Sequence, residues 1–316
     1  MSWIRGFNMD FQRTLKSAIE FSGVALHSGT FVEVRVLPAK ENTGIVFVRT
    51  DVKDRPQIAA TWNNIIDTEL STVIGQKKGF RIATIEHLMS ALKGMSIDNA
   101  VVEINGPELP ALDGSSTCYV EEIRKAGVQV QNAKVQYLQI LKPISVNVDD
   151  KFIYLLPSSM FKISCRVNYK HPLVGLQHFE YTTSLNYEDE ISKAKTFGFL
   201  KDVEALQSKG LALGGTFDNA LVLDDDKVVN ENMMSYADEF VRHKVLDIIG
   251  DVALVGPYRV LAHVVAYKSG HALHAMALKE LFSRKTCFKL VEQPIEIDES
   301  VYSEQAINIL NTVPTF

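Results

Sequence analysis

The run from Asp238 to Asp251 holds residue types that can bind a cation and move protons. Wound as a helix, it sets Glu239, His243, Lys244, Asp247 and Asp251 on one side and Val241, Val245, Ile248, Ile249 and Val252 on the other. His243 and Asp247 stand one turn apart, so an imidazole and a carboxylate can converge on one metal ion. Two ligands do not complete a site. A third has to come from elsewhere in the chain, and an open coordination position would make the metal catalytic rather than structural. The alternative is an ordinary His-Asp ion pair on a partly buried helix. Lys244 and Asp251 on the same flank, and a second helix upstream, weigh against it.

That second helix is predicted over Ile82 to Lys93, where Ile82, Ile85, Met89 and Leu92 form an apolar stripe and Gly94 supplies a stop. His87 points away from the stripe, among Ala83, Ala91 and Gly94. Small residues around a histidine imply that another element packs closely there, either as a plain helix contact or with His87 as the third ligand. Glu86 lies about 100° around the same helix, too far to share the coordination direction yet able to serve a water at the metal.

These helices have to be carried by something larger. At 316 residues, 46% of them hydrophobic, the chain suits two domains with well-buried cores. A formal charge of -5 gives no reason to expect nucleic acid. Cys118, Cys165 and Cys287 form no CxxC pair, which argues against a disulfide framework or a thiolate zinc site and fits a reducing cytoplasm. No signal peptide and no run of about 18 apolar residues is present, so no stable membrane span is expected.

Met1 to Met9 reads as an extension, with Met9 as an alternative start. Strands are expected at Gln12 to Ile19, Thr30 to Leu37, Ile45 to Arg49, Ile58 to Trp62, Leu70 to Ile74 and Asp98 to Asn105, with a turn containing His27 between the first two. A helix follows over Ser116 to Ala126. The polar, aperiodic stretch Gln129 to Lys134 sets a boundary between a first domain, 1–128, and a second, 129–316. The second repeats the grammar with strands at Val135 to Leu141, Ile144 to Val148, Phe152 to Leu156 and Phe161 to Val167. A helix over 236–255, a strand at Tyr258 to Tyr267 and a helix at His271 to Leu281 complete it. The expected fold class is α+β: two similar two-layer sandwiches with helices facing, and a βαβ-like insertion at 193–229. The acidic tail from Leu290 reads as solvated and without a role.

Thr84 to Leu92 (TIEHLMSAL), Pro110 to Ser116 (PALDGSS), Lys195 to Phe199 (KTFGF), Gly210 to Gly215 (GLALGG), Asp238 to Asp251 and Lys268 to His271 (KSGH) occur in order. Together they closely resemble the UDP-3-O-acyl-N-acetylglucosamine deacetylases, zinc amidases that catalyse the committed step of lipid A biosynthesis in Gram-negative bacteria. The resemblance runs from about Gln12 to about Leu281. It implies His87, His243 and Asp247 as zinc ligands and Glu86 as general base. Lys244 would lie near the reacting centre, His271 would be the catalytic histidine and Asp251 the carboxylate that orients it. Thr196 would face the tetrahedral intermediate with Phe197 beside it, and the insertion would pass the acyl chain. Asn168 and Tyr169 stand where an Asp-Phe pair is expected at the nucleotide end, where Tyr169 could stack on the uracil; Lys268 is a further candidate for binding the substrate.

The implied reaction is metal-assisted hydrolysis of the N-acetyl amide of a UDP-sugar lipid, releasing acetate. Zn2+ is implied as cofactor, although two imidazoles and a carboxylate also suit Fe2+. A cytoplasmic monomer is expected. The rival readings are a metal amidase for another acylated substrate or peptide, against which the lack of HExxH counts, and a non-catalytic binding module.

Overall fold

In the computed structural model, residues 11–313 are described. The extension Met1 to Met9 and the last residues of the tail, 314–316, lie outside them. Seven helices occur among the described residues: α1 (Glu86–Gly94), α2 (Thr117–Ala126), α3 (Tyr187–Glu190), α4 (Leu200–Ser208), α5 (Glu239–Val252), α6 (His271–Ser283) and α7 (Glu299–Asn311). None of them is long and apolar enough to cross a membrane.

The fold is α+β, with helices of two sheets facing one another. A five-stranded sheet has the order Ile19–Val24, Phe31–Pro38, Ala100–Ile104, Ile45–Arg49, Gln57–Ala59. Only the pairing of Ala100–Ile104 with Ile45–Arg49 is parallel. Strand Phe31–Pro38 explains the layering: Val32, Val34 and Val36 are buried while Phe31, Glu33 and Arg35 face out, so one side of the sheet is covered and the other wet.

A seven-stranded sheet is built around Arg259–Tyr267, which pairs antiparallel with Lys151–Pro157 and parallel with both Tyr137–Ile140 and Lys162–Asn168. Paired along both edges, that strand is buried along nearly its whole length, and its sequence is apolar apart from Arg259 and His263 rather than an alternation. Between the sheets α1 packs along α5, and Leu88, Met89, Leu92, Val241, Val245 and Ile249 belong to one continuous core.

Several expectations are corrected. Gln12 to Ile19 is two strands, Phe11–Leu15 and Ile19–Val24. Ile82 belongs to a short strand paired with Ile74, and α1 starts only at Glu86, after Thr84 takes a left-handed φ of 57°. Trp62 opens a 3-10 turn, and the strand expected from Leu70 begins at Val73. The polar stretch 129–134 is strand, Val128–Lys134, antiparallel to Phe11–Leu15; its backbone hydrogen bonds hold it in place, and its apolar face is only Val128 and the exposed Val130. The tail also has structure. Phe288–Val291 pairs with Tyr137–Ile140, and Ala306 and Leu310 of α7, with Val313 just after it, are buried against Phe152, Leu156, Val265 and Tyr267. Gly94 is not simply a stop: it is the last residue of α1, and a Cβ there would lie 2.3 Å from the Tyr187 ring.

The insertion has the expected form. Phe197–Phe199 and Leu221–Leu223 pair in parallel with α4 between them.

Candidate metal centre

α5 presents its ionisable side to protein, not to water: Glu239, His243, Asp247 and Asp251 are all buried. Glu239 at its first turn accepts hydrogen bonds from the backbone N–H groups of Tyr236, at 2.9 Å, and Lys195, at 2.9 Å. One turn on, His243 Nδ1 lies 3.0 Å from the carbonyl oxygen of Ala194. A carbonyl only accepts, so Nδ1 carries the proton and Nε2 keeps a free lone pair. These two ties hold segment 194–197 against the helix and so position Thr196 and Phe197.

His87 Nε2 and His243 Nε2 stand 3.8 and 3.5 Å from Asp247 Oδ1. The three candidate ligand atoms lie within 4.8 Å of one another. Atoms each about 2 Å from one tetrahedral ion are roughly 3.3 Å apart, so the trio would draw closer to hold one. Asp247 Oδ1 is buried and has no hydrogen-bond partner, an arrangement that costs about 1–3 kcal/mol unless something answers it. The electrostatics fit the same ion. Burial and the neighbouring His243 push His87 down to about 3, so it stays neutral. Burial alone would raise the Asp247 carboxyl, but Lys244 and His243 outweigh it and hold it well below the usual carboxylate range. A divalent cation therefore suits this donor set.

Beside the trio is a second cluster. Asp251 Oδ2 is 2.7 Å from His271 Nδ1, and its Oδ1 accepts from the Thr72 hydroxyl at 2.5 Å. Thr72 also donates its backbone N–H to Glu86 Oε2 at 3.0 Å, and Glu86 Oε1 lies 3.7 Å from His271 Nε2. Glu86 and His271 thus face one another at ion-pair distance, just beyond hydrogen-bond reach. Burial pushes Glu86 up to about 8, against the opposing charge of His271. Burial would lower His271, but the Asp251 and Glu86 carboxylates push it up to about 10.

The remaining candidates divide. Lys244 Nζ donates to Asp247 Oδ2 at 2.9 Å and lies 5.6 Å from the centre of the Phe197 ring. Phe197 stands edge-on to His243, with ring centroids 6.2 Å apart, and to Tyr169, at 5.6 Å. Thr196 is set by its backbone, whose N–H donates to Gly114 at 2.8 Å. Lys268 joins neither cluster; its Nζ pairs with Asp150 Oδ2 at 2.5 Å. Asn168 Nδ2 reaches Tyr267 Oη at 3.3 Å. His27 Nδ1 is buried without a partner, and burial lowers that imidazole's pKa despite Glu108 nearby.

Two participants went unread in the sequence. His274 Nδ1 lies 2.7 Å from the same Asp251 oxygen that His271 approaches. Its signal was available, since His271 and His274 at i, i+3 share a helix face. Thr72 carried none: it reaches Asp251 across 179 positions of chain.

The family model described as LpxC: UDP-3-O-acyl N-acetylglycosamine deacetylase matches residues 12–283. A protein from Syntrophus aciditrophicus (strain SB) named UDP-3-O-acyl-N-acetylglucosamine deacetylase is 44% identical over 278 residues, covering 88% of each chain. Its namesake from Geotalea uraniireducens (strain Rf4) is 45% identical over 285 residues, covering 90% of this chain and 92% of its own. That of Myxococcus xanthus (strain DK1622) is 44% identical over 281 residues, covering 89% of each. With most of its length matched, and with relatives of this identity along nearly all of it, the chain belongs to the LpxC family of UDP-3-O-acyl-N-acetylglucosamine deacetylases.

Proposed function

We propose that this chain hydrolyses the N-acetyl amide of UDP-3-O-acyl-N-acetylglucosamine, releasing acetate in lipid A biosynthesis, with zinc held by His87, His243 and Asp247. The observation that carries the reading is the unpartnered Oδ1 of buried Asp247 facing two imidazoles. Family resemblance favours zinc over Fe2+, which the same ligands would also accept. When bound, the ion supplies Lewis acidity, polarising the amide carbonyl and making a water easier to deprotonate.

The chain's own residues do the rest. Glu86 takes the proton of the attacking water; a buried carboxyl that titrates near neutrality can accept a proton and give it up again. The Thr196 hydroxyl faces the developing oxyanion, and the Lys244 ammonium and the His271 imidazolium add positive charge nearby. Asp251 holds His271 Nδ1, so its Nε2–H is directed away from that carboxylate and delivers a proton to the leaving nitrogen.

Phe197, Tyr169 and Lys268 bind the substrate, with Tyr169 at the nucleotide end. Leu200, Leu213 and Phe217 are exposed on the insertion, which supports an acyl-chain passage there. On this reading, domains 1–128 and 129–316 meet at the site, with α1 from one and α5 from the other, in a cytoplasmic monomer.

The test is turnover of acylated and non-acylated UDP-sugars by the purified chain, with and without a chelator. Deacetylation of the acylated substrate, lost on chelation and restored by zinc, is expected. Full activity in the chelated protein, or equal turnover of the non-acylated sugar, would overturn the reading.

A further inference from the structure

α6 offers two imidazoles to one carboxylate oxygen. His271 and His274 share a helix face, and each Nδ1 lies 2.7 Å from Asp251 Oδ2. His274 is only 1% exposed, and its Nε2 lies 2.9 Å from Ser269 Oγ. The other Asp251 oxygen is taken by Thr72. The carboxylate is therefore held from three directions and cannot turn without breaking a buried hydrogen bond. This cluster differs from the metal-ligand trio, because here the donors and acceptors answer one another and no oxygen is left over.

A carboxylate only accepts, so His274 donates from Nδ1 whatever its charge. That donation occupies one lone pair of the oxygen on which His271 also depends. We infer that His274 is a positioning residue, which fixes the orientation of Asp251 and limits the share of its negative charge that reaches His271. Only the kinetic part of this inference rests on the proposed deacetylase activity. The other ionisable groups around His271 are Glu86 and His87 on α1, His243 and Asp247 on α5, and His27 in the turn after Ile19–Val24. All of them stay in place when His274 alone is changed.

Two substitutions separate the two hydrogen bonds of His274. In His274→Asn the side-chain amide falls near the position of Nδ1 and keeps a donor for Asp251, whereas in His274→Gln it falls near Nε2 and keeps only the reach to Ser269. The experiment combines 15N NMR of the histidines in the full chain with steady-state kinetics. In the unaltered chain His274 is expected to be protonated at Nδ1. His274→Gln should raise the titration midpoint of His271 and lower kcat about tenfold, the scale of one charge-assisted hydrogen bond, with KM within about twofold; His274→Asn should leave both near the parent values.

A His274 protonated at Nε2 alone overturns the inference without any variant. So does a midpoint that falls or stays put in His274→Gln, or a pair of variants that move together as a packing role would require. If the unaltered chain fails to turn over substrate, the deacetylase reading fails, and the NMR midpoints decide on His274 by themselves.

Discussion

Gly250 of α5 lies so close to Glu86 of α1 that a Cβ on it would stand 2.1 Å from the Glu86 carbonyl oxygen. This contact sets the spacing of the two helices that bring His87 to His243 and Asp247. In an ordinary helix interior, glycine to alanine gains about 1 kcal/mol. Here the new methyl meets backbone that cannot swing aside, and overpacking typically costs about 1–3 kcal/mol. Gly250→Ala is therefore expected to lower the melting temperature and to loosen metal retention. A variant that melts higher and keeps its full metal content would show that the spacing is not critical.

His87→Ala removes one of the three proposed ligands and leaves the core of α1 in place, since Leu88, Met89 and Leu92 pack on its other side. The variant should fold, as read by circular dichroism, and carry far less than stoichiometric zinc by elemental analysis. Stoichiometric zinc in that variant would remove His87 from the ligand set.

Asp251→Asn is expected to lower the rate while metal content stays unchanged. Burial alone would lower the His271 pKa; Asp251 is the largest influence that keeps it raised to about 10. With that negative charge gone, His271 gives up its proton at lower pH, so the alkaline limb of kcat/KM should move toward neutrality. Loss of metal would identify Asp251 as a ligand instead.

Burial alone would raise the Glu299 carboxyl, but hydrogen bonds from Lys162 and Ser159 bring it down to about 2. A depressed carboxylate contributes stability above its unfolded value, about 4.3, and loses it as pH falls through the folded value. Glu299→Gln should thus be less stable at pH 7, by about 1 kcal/mol or less for a partly exposed pair. The gap should close as pH falls from about 4.3 to about 2, and denaturant midpoints across that range check it. A gap that does not change with pH would mean the charge contributes nothing to docking α7.

The chemistry on α5 was legible because helical periodicity is local. His243, Asp247 and Asp251 must share a side wherever the helix is placed, and the apolar residues opposite announce burial. The small residues around His87 likewise pointed to a close neighbour, which at Gly94 is the Tyr187 ring, although the tight contact with α5 comes from Gly250 on the other helix. Strand Val128–Lys134 was not legible. It is held by main-chain bonds to Phe11–Leu15, and such bonds leave no pattern in side-chain type. The acidic residues of the tail hid the apolar spacing of Ala306, Leu310 and Val313.

The sequence by itself determined which residues share a helix face and hence which pairs could act together. Tertiary structure alone decided that α1 and α5 meet, that Thr72 links Glu86 to Asp251, and that His274 shares the oxygen used by His271. The reason is range: neighbours along a helix follow from its pitch, whereas contacts between distant segments follow from how two sheets pair and how closely their helices can pack.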